Sequence, residues 1–373
     1  MTTTIESMTT TVLLSKSALV VFLSLFMIAT AVSFLRVRLE KKEAQFKNVI
    51  QILGIPEGEA HLFTPAVRDE YAPRDYLLPV AFATLVCVSG FIAFIFGADL
   101  VALNPAKPDL VLTGAETVSP TMSADAMKSL RMRSMLVISL AFIGAFIWSA
   151  RDIVRRLIRG DLTPSAYYSA GLRMVYAALL SLMLSFLLRA LPFPESSQVL
   201  PVVAFLTGML PDQALVYLRE KIPIFAGARN AAAEMPLDAI EGINGFHAVR
   251  LGEVGVDNAQ NLAEANLLEL LLKTPFNAAQ LIDWIAQAKL YAYFKADVEK
   301  LRRVGIRTIF DFKSACAAPE QLLRIASEAE ASELALRVVY AQIKDDRGIE
   351  RLYEFRTRLG TLGDGRLGRA GSA

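Results

Sequence analysis

The chain has 373 residues, which is more than one domain usually needs, and 54% of them are hydrophobic while 20% are charged. This balance is too apolar for a soluble protein, and the net charge of +2 indicates no particular class of partner. Two cysteines, Cys87 and Cys316, and two histidines, His61 and His247, offer little basis for a disulfide framework, a metal cluster or a histidine-based triad. We therefore expect no metal site and no cofactor.

A polar leader, residues 1–16, precedes five runs that contain no charged residue: 17–35, 77–98, 134–150, 174–188 and 198–210. A helix needs about 20 apolar residues to cross the hydrocarbon core of a membrane, with ~17 as the lower limit. The first two runs exceed this length, the third reaches the limit, and the fourth does so with its end residues. We therefore predict a transmembrane domain over residues 17–218. Its predicted spans are 17–35, 77–98, 134–150, 172–191 and 198–218.

The fifth run is short, and Pro201, Gly208 and Pro211 interrupt it. It is either a tilted span extended by residues 212–218 or a re-entrant hairpin that its neighbours bury. The membrane domain is therefore polytopic, with five spans or, in the second case, four.

Lysine and arginine residues near the ends of spans indicate the cytosolic side. Basic clusters follow the first run (36–47) and the third (151–159), whereas the link 192–197 has none. The pattern is satisfied by five spans with the N-terminus outside and the C-terminus in the cytosol. The loop 99–133 fits least well, because three of its basic residues would lie outside. We predict an integral protein of the plasma or inner membrane, with the lipid bilayer as its first partner.

Ionisable residues within spans usually mark a transport path, and none of the five runs contains one. Small residues at four-residue spacing, Ala141/Ala145 and Ser181/Ser185, suit close helix packing. We therefore expect helices that pack within the protein or an oligomer, while an ion path lined by backbone and hydroxyl groups stays open.

From about residue 222 the apolar residues fall to helical spacing and the charges become mixed, which predicts a soluble helical domain over 222–318. Pro275 suits the first turn of the helix that carries Trp284. Gly242, Gly255 and Gly305 each stand beside a helical stretch, at positions where a positive φ favours glycine.

Two stretches of this domain share a glycine pattern. The first has Gly242-Ile243 in a turn, Ala248 and Leu251 on the following helix, and Gly255-Val256 before Leu262-Ala263. The second has only the exit half, Gly305-Ile306-Arg307-Thr308 followed by Phe310 and Phe312. Over about 236–318 this pattern resembles the helix-hairpin-helix superfamily, while the membrane part resembles no family that we can name.

The resemblance implies that backbone N–H groups of the glycine turns, helped by nearby basic side chains, form an interaction surface, which in this family often binds nucleic acid. The candidate turn residues are Gly242, Ile243, Asn244, Gly245, His247, Arg250, Gly255, Gly305 and Arg307. The candidate basic face consists of Lys300, Arg302 and Arg303.

This sequence departs from the family pattern at the first turn. Asn244 stands where the second turn glycine is expected, and Phe246 and His247 stand where a basic residue is usual. Residues 234–318 hold nine Lys/Arg and eleven Asp/Glu, a net charge of 9 − 11 = −2. A phosphate-binding domain should be basic. We therefore favour a module that binds protein or itself, and read His247 as a capping or surface residue.

Two amphipathic helices are predicted over 319–359, the first covering 319–343 and the second 348–359. A tail rich in glycine and arginine, 360–373, is predicted to be disordered.

The favoured function is a non-enzymatic membrane scaffold or adaptor whose cytosolic helical domain mediates protein interaction or oligomerisation. A gated pore or membrane-disrupting effector, controlled by that domain, is the first alternative. Membrane tethering of nucleic acid through the hairpin turns is the second. An enzyme comes last, because no phosphate loop, nucleophile motif or metal-ligand spacing is present in the sequence.

Overall fold

The computed structural model describes residues 2–55, 71–103, 109–114, 122–190, 199–210 and 235–370. Every regular element in these residues is helical, which confirms the predicted all-α class. The chain divides into two compact units. The first is built from Met1–Glu40 with Asp69–Ala228, and the second from Lys41–Arg68 with Arg229–Ala373.

The helices up to residue 210 carry most of each apolar run. In chain order they are α1 (Thr2–Ser33), α2 (Leu39–Leu53), α3 (Pro73–Leu103), α4 (Leu110–Thr113), α5 (Ala124–Arg159), α6 (Pro164–Ala190) and α7 (Val199–Met209). A π-helical turn, Phe34–Arg38, joins α1 to α2.

Among the described residues, four helical segments are long and apolar enough to cross a membrane, and they coincide with the first four predicted spans. They are Thr10–Leu53, Pro73–Leu103, Ala124–Arg159 and Pro164–Leu187. At ~1.5 Å per residue the 36 residues of α5 extend ~54 Å, well beyond the ~30 Å of a hydrocarbon core. The helices therefore continue past the charge-free runs into their charged flanks.

The fifth apolar run forms the short helix α7, which has 11 residues. Its length of ~16 Å is about half of a hydrocarbon core. Residues 211–218, which the predicted fifth span includes, lie outside the described residues.

Helices α1 and α3 pack antiparallel in the first unit. Near one end the Lys16 ammonium lies 2.9 Å from an Asp99 carboxylate oxygen. Near the other end the ring of Phe34 lies 5.5 Å from that of Tyr71 and 6.2 Å from that of Tyr76, between centroids. We call this second end of the bundle the tyrosine end.

The tyrosine end also holds the turn between α5 and α6. The Tyr76 hydroxyl donates to the carbonyl oxygen of Leu162, which lies in that turn. The Thr30 and Tyr167 hydroxyl oxygens are 3.1 Å apart. These buried polar groups therefore satisfy one another where four helix ends meet.

Helices α5 and α7 approach each other closely enough for their backbones to touch. A β-carbon on Gly208 would overlap the carbonyl oxygen of Ala141, and one on Gly144 would overlap that of Phe205. The predicted small residues Ala141 and Ala145 are fully buried. Ser181 and Ser185 on α6 are buried as well. The prediction of close packing at these positions is confirmed.

The helices of the second unit after residue 234 are shorter. In chain order they are α8 (Gly245–Gly252), α9 (Ala259–Glu264), α10 (Leu267–Lys273), α11 (Ala278–Phe294), α12 (Val298–Arg303), α13 (Ile309–Ala315), α14 (Pro319–Glu328), α15 (Glu333–Ile343) and α16 (Arg347–Ala370). Helix α11 carries the largest buried side chain of this unit, Trp284. Short 3₁₀ turns occur at Leu237–Ala239 and Lys295–Asp297.

The segment Lys41–Arg68 groups with the C-terminal residues, whereas the sequence assigns it to the membrane domain. Phe46, Ile50 and Leu53 of α2 are buried. Arg358 Nη1 donates to the carbonyl oxygen of Leu53 at 2.6 Å, where the negative end of the helix dipole favours a cation. This hydrogen bond ties the end of α2 to α16.

Three predicted boundaries differ in the structure. Pro275 precedes α11 rather than opening it, because the Asn277 side chain accepts from Gln280 N–H and caps the helix. The predicted helix 319–343 is broken into α14 and α15 at Glu330, whose φ is 52°. The tail predicted to be disordered is helical up to Ala370, within α16.

Candidate functional site

The first glycine turn packs against α11. Gly242 has a φ of 88°, as predicted, and a β-carbon there would lie 3.2 Å from Trp284 Nε1. Glu241 N–H donates to Gln287 Oε1 at 3.0 Å, and Gln287 Nε2 donates to the Glu241 carbonyl oxygen at 3.2 Å. Gln287 is fully buried, so this pair of hydrogen bonds fixes the backbone of the turn to the core.

Asn244 and His247 cap the helix that follows the turn. The Asn244 side chain accepts from the N–H groups of Phe246 and His247, at 3.0 and 3.2 Å. His247 Nδ1 accepts from Asn244 N–H at 3.2 Å, which completes a capping box. The predicted capping role of His247 is confirmed, and Asn244 serves as the N-cap rather than as a second turn glycine.

His247 also belongs to an aromatic cluster. Its ring centroid lies 4.9 Å from that of Trp284 and 5.4 Å from that of Phe276. The centroids of Phe276 and Trp284 are 5.1 Å apart, with the rings nearly perpendicular at 76°. The cluster anchors α8 to α11 through edge-to-face packing.

The two exit turns repeat the same backbone hydrogen bonds fifty residues apart. Val256 N–H donates to Leu251 O and Ile306 N–H to Leu301 O, both at 3.0 Å. Gly255 has a φ of 81° and Gly305 one of 86°. The caps also correspond, since Asn258 and Thr308 each accept from the N–H group three residues later. The half-match that the sequence shows at 301–312 is therefore a structural repeat of the first exit turn.

Replacing Gly305 by alanine is expected to destabilise the second unit by about 1–2 kcal/mol, because a β-carbon disfavours this left-handed backbone. Alanine would meet no atom within 4 Å at Gly305 or at Gly245, but Gly245 has no positive φ. Gly245→Ala is therefore a control that separates the cost of the left-handed backbone from that of adding a methyl group. Gly255→Ala should destabilise the unit as much as Gly305→Ala does. Pulse proteolysis of the full-length protein in urea measures the difference, and equal midpoints for Gly305→Ala and Gly245→Ala would refute it.

The basic candidates are engaged by carboxylates of the same unit. Arg250 is buried and pairs with Glu253. Arg307 pairs with Asp283 and lies 3.5 Å from Glu241 Oε2. These contacts bring the first turn and the second stretch together through Glu241, which the sequence did not single out.

The predicted basic face is neutralised in a similar way. Arg302 Nη1 lies 2.6 Å from Glu299 Oε1, and Arg302 Nη2 donates to the Ala239 carbonyl oxygen at 2.8 Å. Lys300 Nζ lies 2.8 Å from Asp297 Oδ1. Arg303 is exposed. A phosphate would have to displace these carboxylates to reach the cations, which costs little at the exposed Lys300–Asp297 pair and more at Arg302, whose side chain is 11% exposed.

An exposed apolar pair on α15 was not predicted as a site. Leu334 is 72% exposed and Val338 is 48% exposed, and they are one helical turn apart. Leu336, Val339 and Ile343 of the same helix are buried. The sequence signal is that α15 has apolar residues on both of its faces. A search for one apolar face finds the buried residues and misses the exposed pair.

Cys316 is expected to react slowly with maleimides in the folded protein. Burial raises the pKa of its thiol to about 11, so only ~0.1% is thiolate at pH 8. Labelling should rise about tenfold per pH unit and should become fast in denaturant. Ser314→Cys, at an exposed position two residues away, is the matched fast-reacting control. Equal labelling rates at Cys316 and at position 314 would contradict the burial and the raised thiol pKa of Cys316.

Within the described residues, no group of three His, Cys, Asp or Glu side chains is placed to hold a metal ion. Both cysteines are free and buried.

Comparison with known proteins finds no match to this chain among protein-family models, curated proteins or solved structures.

Proposed function

We propose that the protein is a membrane-anchored scaffold whose second unit binds a protein helix, either of a partner or of a second copy. The observation that carries this proposal is the exposed pair Leu334 and Val338 on a helical unit whose basic side chains are largely engaged internally. The four helices long and apolar enough to cross a membrane supply the anchor.

The surface around this pair has the composition of an interface. Leu334 and Val338 form an apolar centre, and the Glu333–Arg337 ion pair, at 2.6 Å, lies beside it. An apolar centre with a polar rim is the usual anatomy of a protein interface. Leu323 on the adjoining helix α14 is also exposed, at 47%. A helix with apolar residues one turn apart is the complementary partner.

We assign the region 236–318 to the helix-hairpin-helix type on the repeated exit turns. The orientation that we propose has an outside N-terminus and a cytosolic second unit. The tyrosine end supports it, because Arg36, Arg38, Arg74 and Arg159 belong to the helix ends that meet there. This orientation requires a fifth crossing within residues 198–218, of which the 11-residue helix α7 is the described part.

Crosslinking in native membranes tests the scaffold proposal. The wild-type chain should give multimers or defined heteromeric products, and Leu334→Asp/Val338→Asp should lose them. Gln342→Asp, which adds a charge at an exposed position of the same helix, should keep them. Purely monomeric wild-type protein, or identical products from all three proteins, would refute the proposal.

Nucleic-acid tethering is disfavoured by the ion pairs of Arg250, Arg302 and Arg307. A test of DNA or RNA binding by the purified full-length protein decides between the scaffold proposal and nucleic-acid tethering. The scaffold proposal predicts no retention at low salt. Retention at moderate salt that Arg303→Ala abolishes would favour tethering instead.

A pore or membrane-disrupting effector is the second candidate, and the short helix α7 favours it. Its 11 residues bury Ala204 and Gly208 against α5 without the length of a span. Overexpression with a membrane-potential dye tests this candidate. A collapse of the potential would support a pore, whereas unchanged potential and growth would remove it.

A further inference from the structure

An open apolar groove runs between α1 and α3 near the tyrosine end. Its volume is about 540 Å³, within the ~300–1,000 Å³ range of ligand pockets. Helix α1 lines it with Ile28, Ala31 and Val32, and the π-helical turn that follows adds Leu35. Helix α3 lines it with Pro73, Tyr76, Leu77, Val80, Ala81, Thr84, Leu85 and Val88.

The groove has a buried floor and exposed walls. Ala31, Tyr76 and Val80 are buried, whereas Leu77 is 72% exposed and Leu85 is 65% exposed. The groove therefore opens away from the helix bundle. It lies within two of the segments long and apolar enough to cross a membrane, so a membrane around these segments would place lipid against the groove.

The length of the groove matches one leaflet. From Pro73 to Val88 its lining covers 15 steps along α3, which is ~22 Å at ~1.5 Å per residue. A bilayer is ~40–45 Å thick with its headgroup regions, so one leaflet is ~20–22 Å, and the groove would extend from the headgroup level to about the middle of the bilayer.

Exposed cations stand at the headgroup end of the groove. Arg36 follows the lining residue Leu35, and it comes four residues after Val32. Arg74 follows Pro73, and it shares a helical face with Leu77 and Ala81. The side chain of Arg74 is 82% exposed, and its contact with Asp75 is long, at 3.7 Å. Both arginines belong to the tyrosine end.

We propose that this groove binds one acyl chain of an anionic phospholipid, whose phosphate headgroup is held by Arg36 and Arg74. The groove has an apolar part and a positively charged end, which complement the acyl chain and the negative headgroup of an anionic lipid. Its apolar trough is as long as a leaflet is deep, and its positive charge is confined to the end where a headgroup sits. Basic side chains beside grooves between membrane helices favour anionic headgroups.

Native mass spectrometry of the purified full-length protein tests this site. The protein is equilibrated with mixed micelles of phosphatidylglycerol and phosphatidylcholine that carry the same acyl chains, and the lipids retained are counted. The wild type should retain phosphatidylglycerol in preference. Arg36→Gln/Arg74→Gln should lower that preference roughly 25-fold, since each basic residue near the surface contributes about fivefold. Lys128→Gln/Arg133→Gln, which removes two exposed cations from α5 near its opposite end, should leave it unchanged.

Ala81→Phe tests the trough separately from the charges, because a phenyl ring at this exposed position fills the groove without entering the core. It should lower retention of both lipids, whereas Ala18→Phe, at an exposed position of α1 outside the lining, should not. Equal retention by Ala81→Phe and Ala18→Phe would overturn the proposal. So would an unchanged preference in the double arginine variant, or a disulfide between two copies of Leu85→Cys in native membranes, which would assign the groove to a second chain. Inorganic phosphate at millimolar concentration should not displace the lipid, and displacement would show a free-anion site instead.

Discussion

Replacing Gly208 by alanine is expected to lower the midpoint of thermal unfolding in detergent by roughly 3 to 10 °C. The added β-carbon would overlap the Ala141 carbonyl oxygen and come within 2.8 Å of its carbonyl carbon. Backbone atoms cannot move aside as a side chain can, so α5 and α7 must separate. Overpacking of this kind costs about 1–3 kcal/mol, and each kcal/mol corresponds to about 2–4 °C in a protein of this size.

Gly97→Ala is the matched control for this effect. A β-carbon on Gly97 would come within 2.6 Å of Met135 Cγ, but that contact is with a flexible side chain. The midpoint of the control should therefore fall less than that of Gly208→Ala, because rotation of the Met135 side chain can relieve part of the overlap. Unfolding of both variants at the same temperature would show that overlap with the backbone of α5 costs no more than overlap with a side chain.

Replacing Trp284 by alanine is expected to destabilise the second unit by about 3–5 kcal/mol. Trp284 is 2% exposed and contacts His247 and Phe276. Its removal leaves a cavity beneath the turn at Gly242. With a urea dependence of about 1–3 kcal/mol per molar, the midpoint in pulse proteolysis should fall by roughly 1–5 M.

Trp284→Phe keeps an aromatic ring in the cluster and should lose less than half as much. The cleavage should also be confined to the second unit, because the residue lies in that unit. A wild-type midpoint for Trp284→Ala would show that the aromatic cluster does not hold the first turn.

The membrane helices could be predicted because a charge-free run has few alternatives to crossing a bilayer. The predicted ends were less accurate, because caps outside the apolar run set them. Helix α5 extends past both ends of 134–150, from the Ser123 cap, which accepts from Ala126 N–H, to Gly160, whose φ is 74°. Neither signal depends on hydrophobicity.

The turn glycines could be predicted for a local reason, since a helix end with a positive φ selects glycine. Which carboxylate pairs with each nearby cation could be predicted only in part. Glu253 stands three residues after Arg250, so that pair is local, whereas Arg307 meets Asp283 from 24 residues away. The second contact depends on how α11 packs, which the sequence pattern does not specify.

The grouping of Lys41–Arg68 with the C-terminal residues was beyond prediction. The spacing of Phe46, Ile50 and Leu53 indicates a buried face on α2, but no local signal says which helix covers it. The Arg358 contact with Leu53 joins residues 305 positions apart.

The central claim is that the chain is anchored by its apolar helices while the second unit folds in water on the cytosolic side. Protease treatment of intact cells that express the chain with a C-terminal epitope tests it most directly, together with carbonate washing of their membranes. We predict that the epitope survives in intact cells, is lost after permeabilisation, and stays with the carbonate-washed membrane. Loss of the epitope in intact cells, or release of the chain into the carbonate supernatant, would contradict the account.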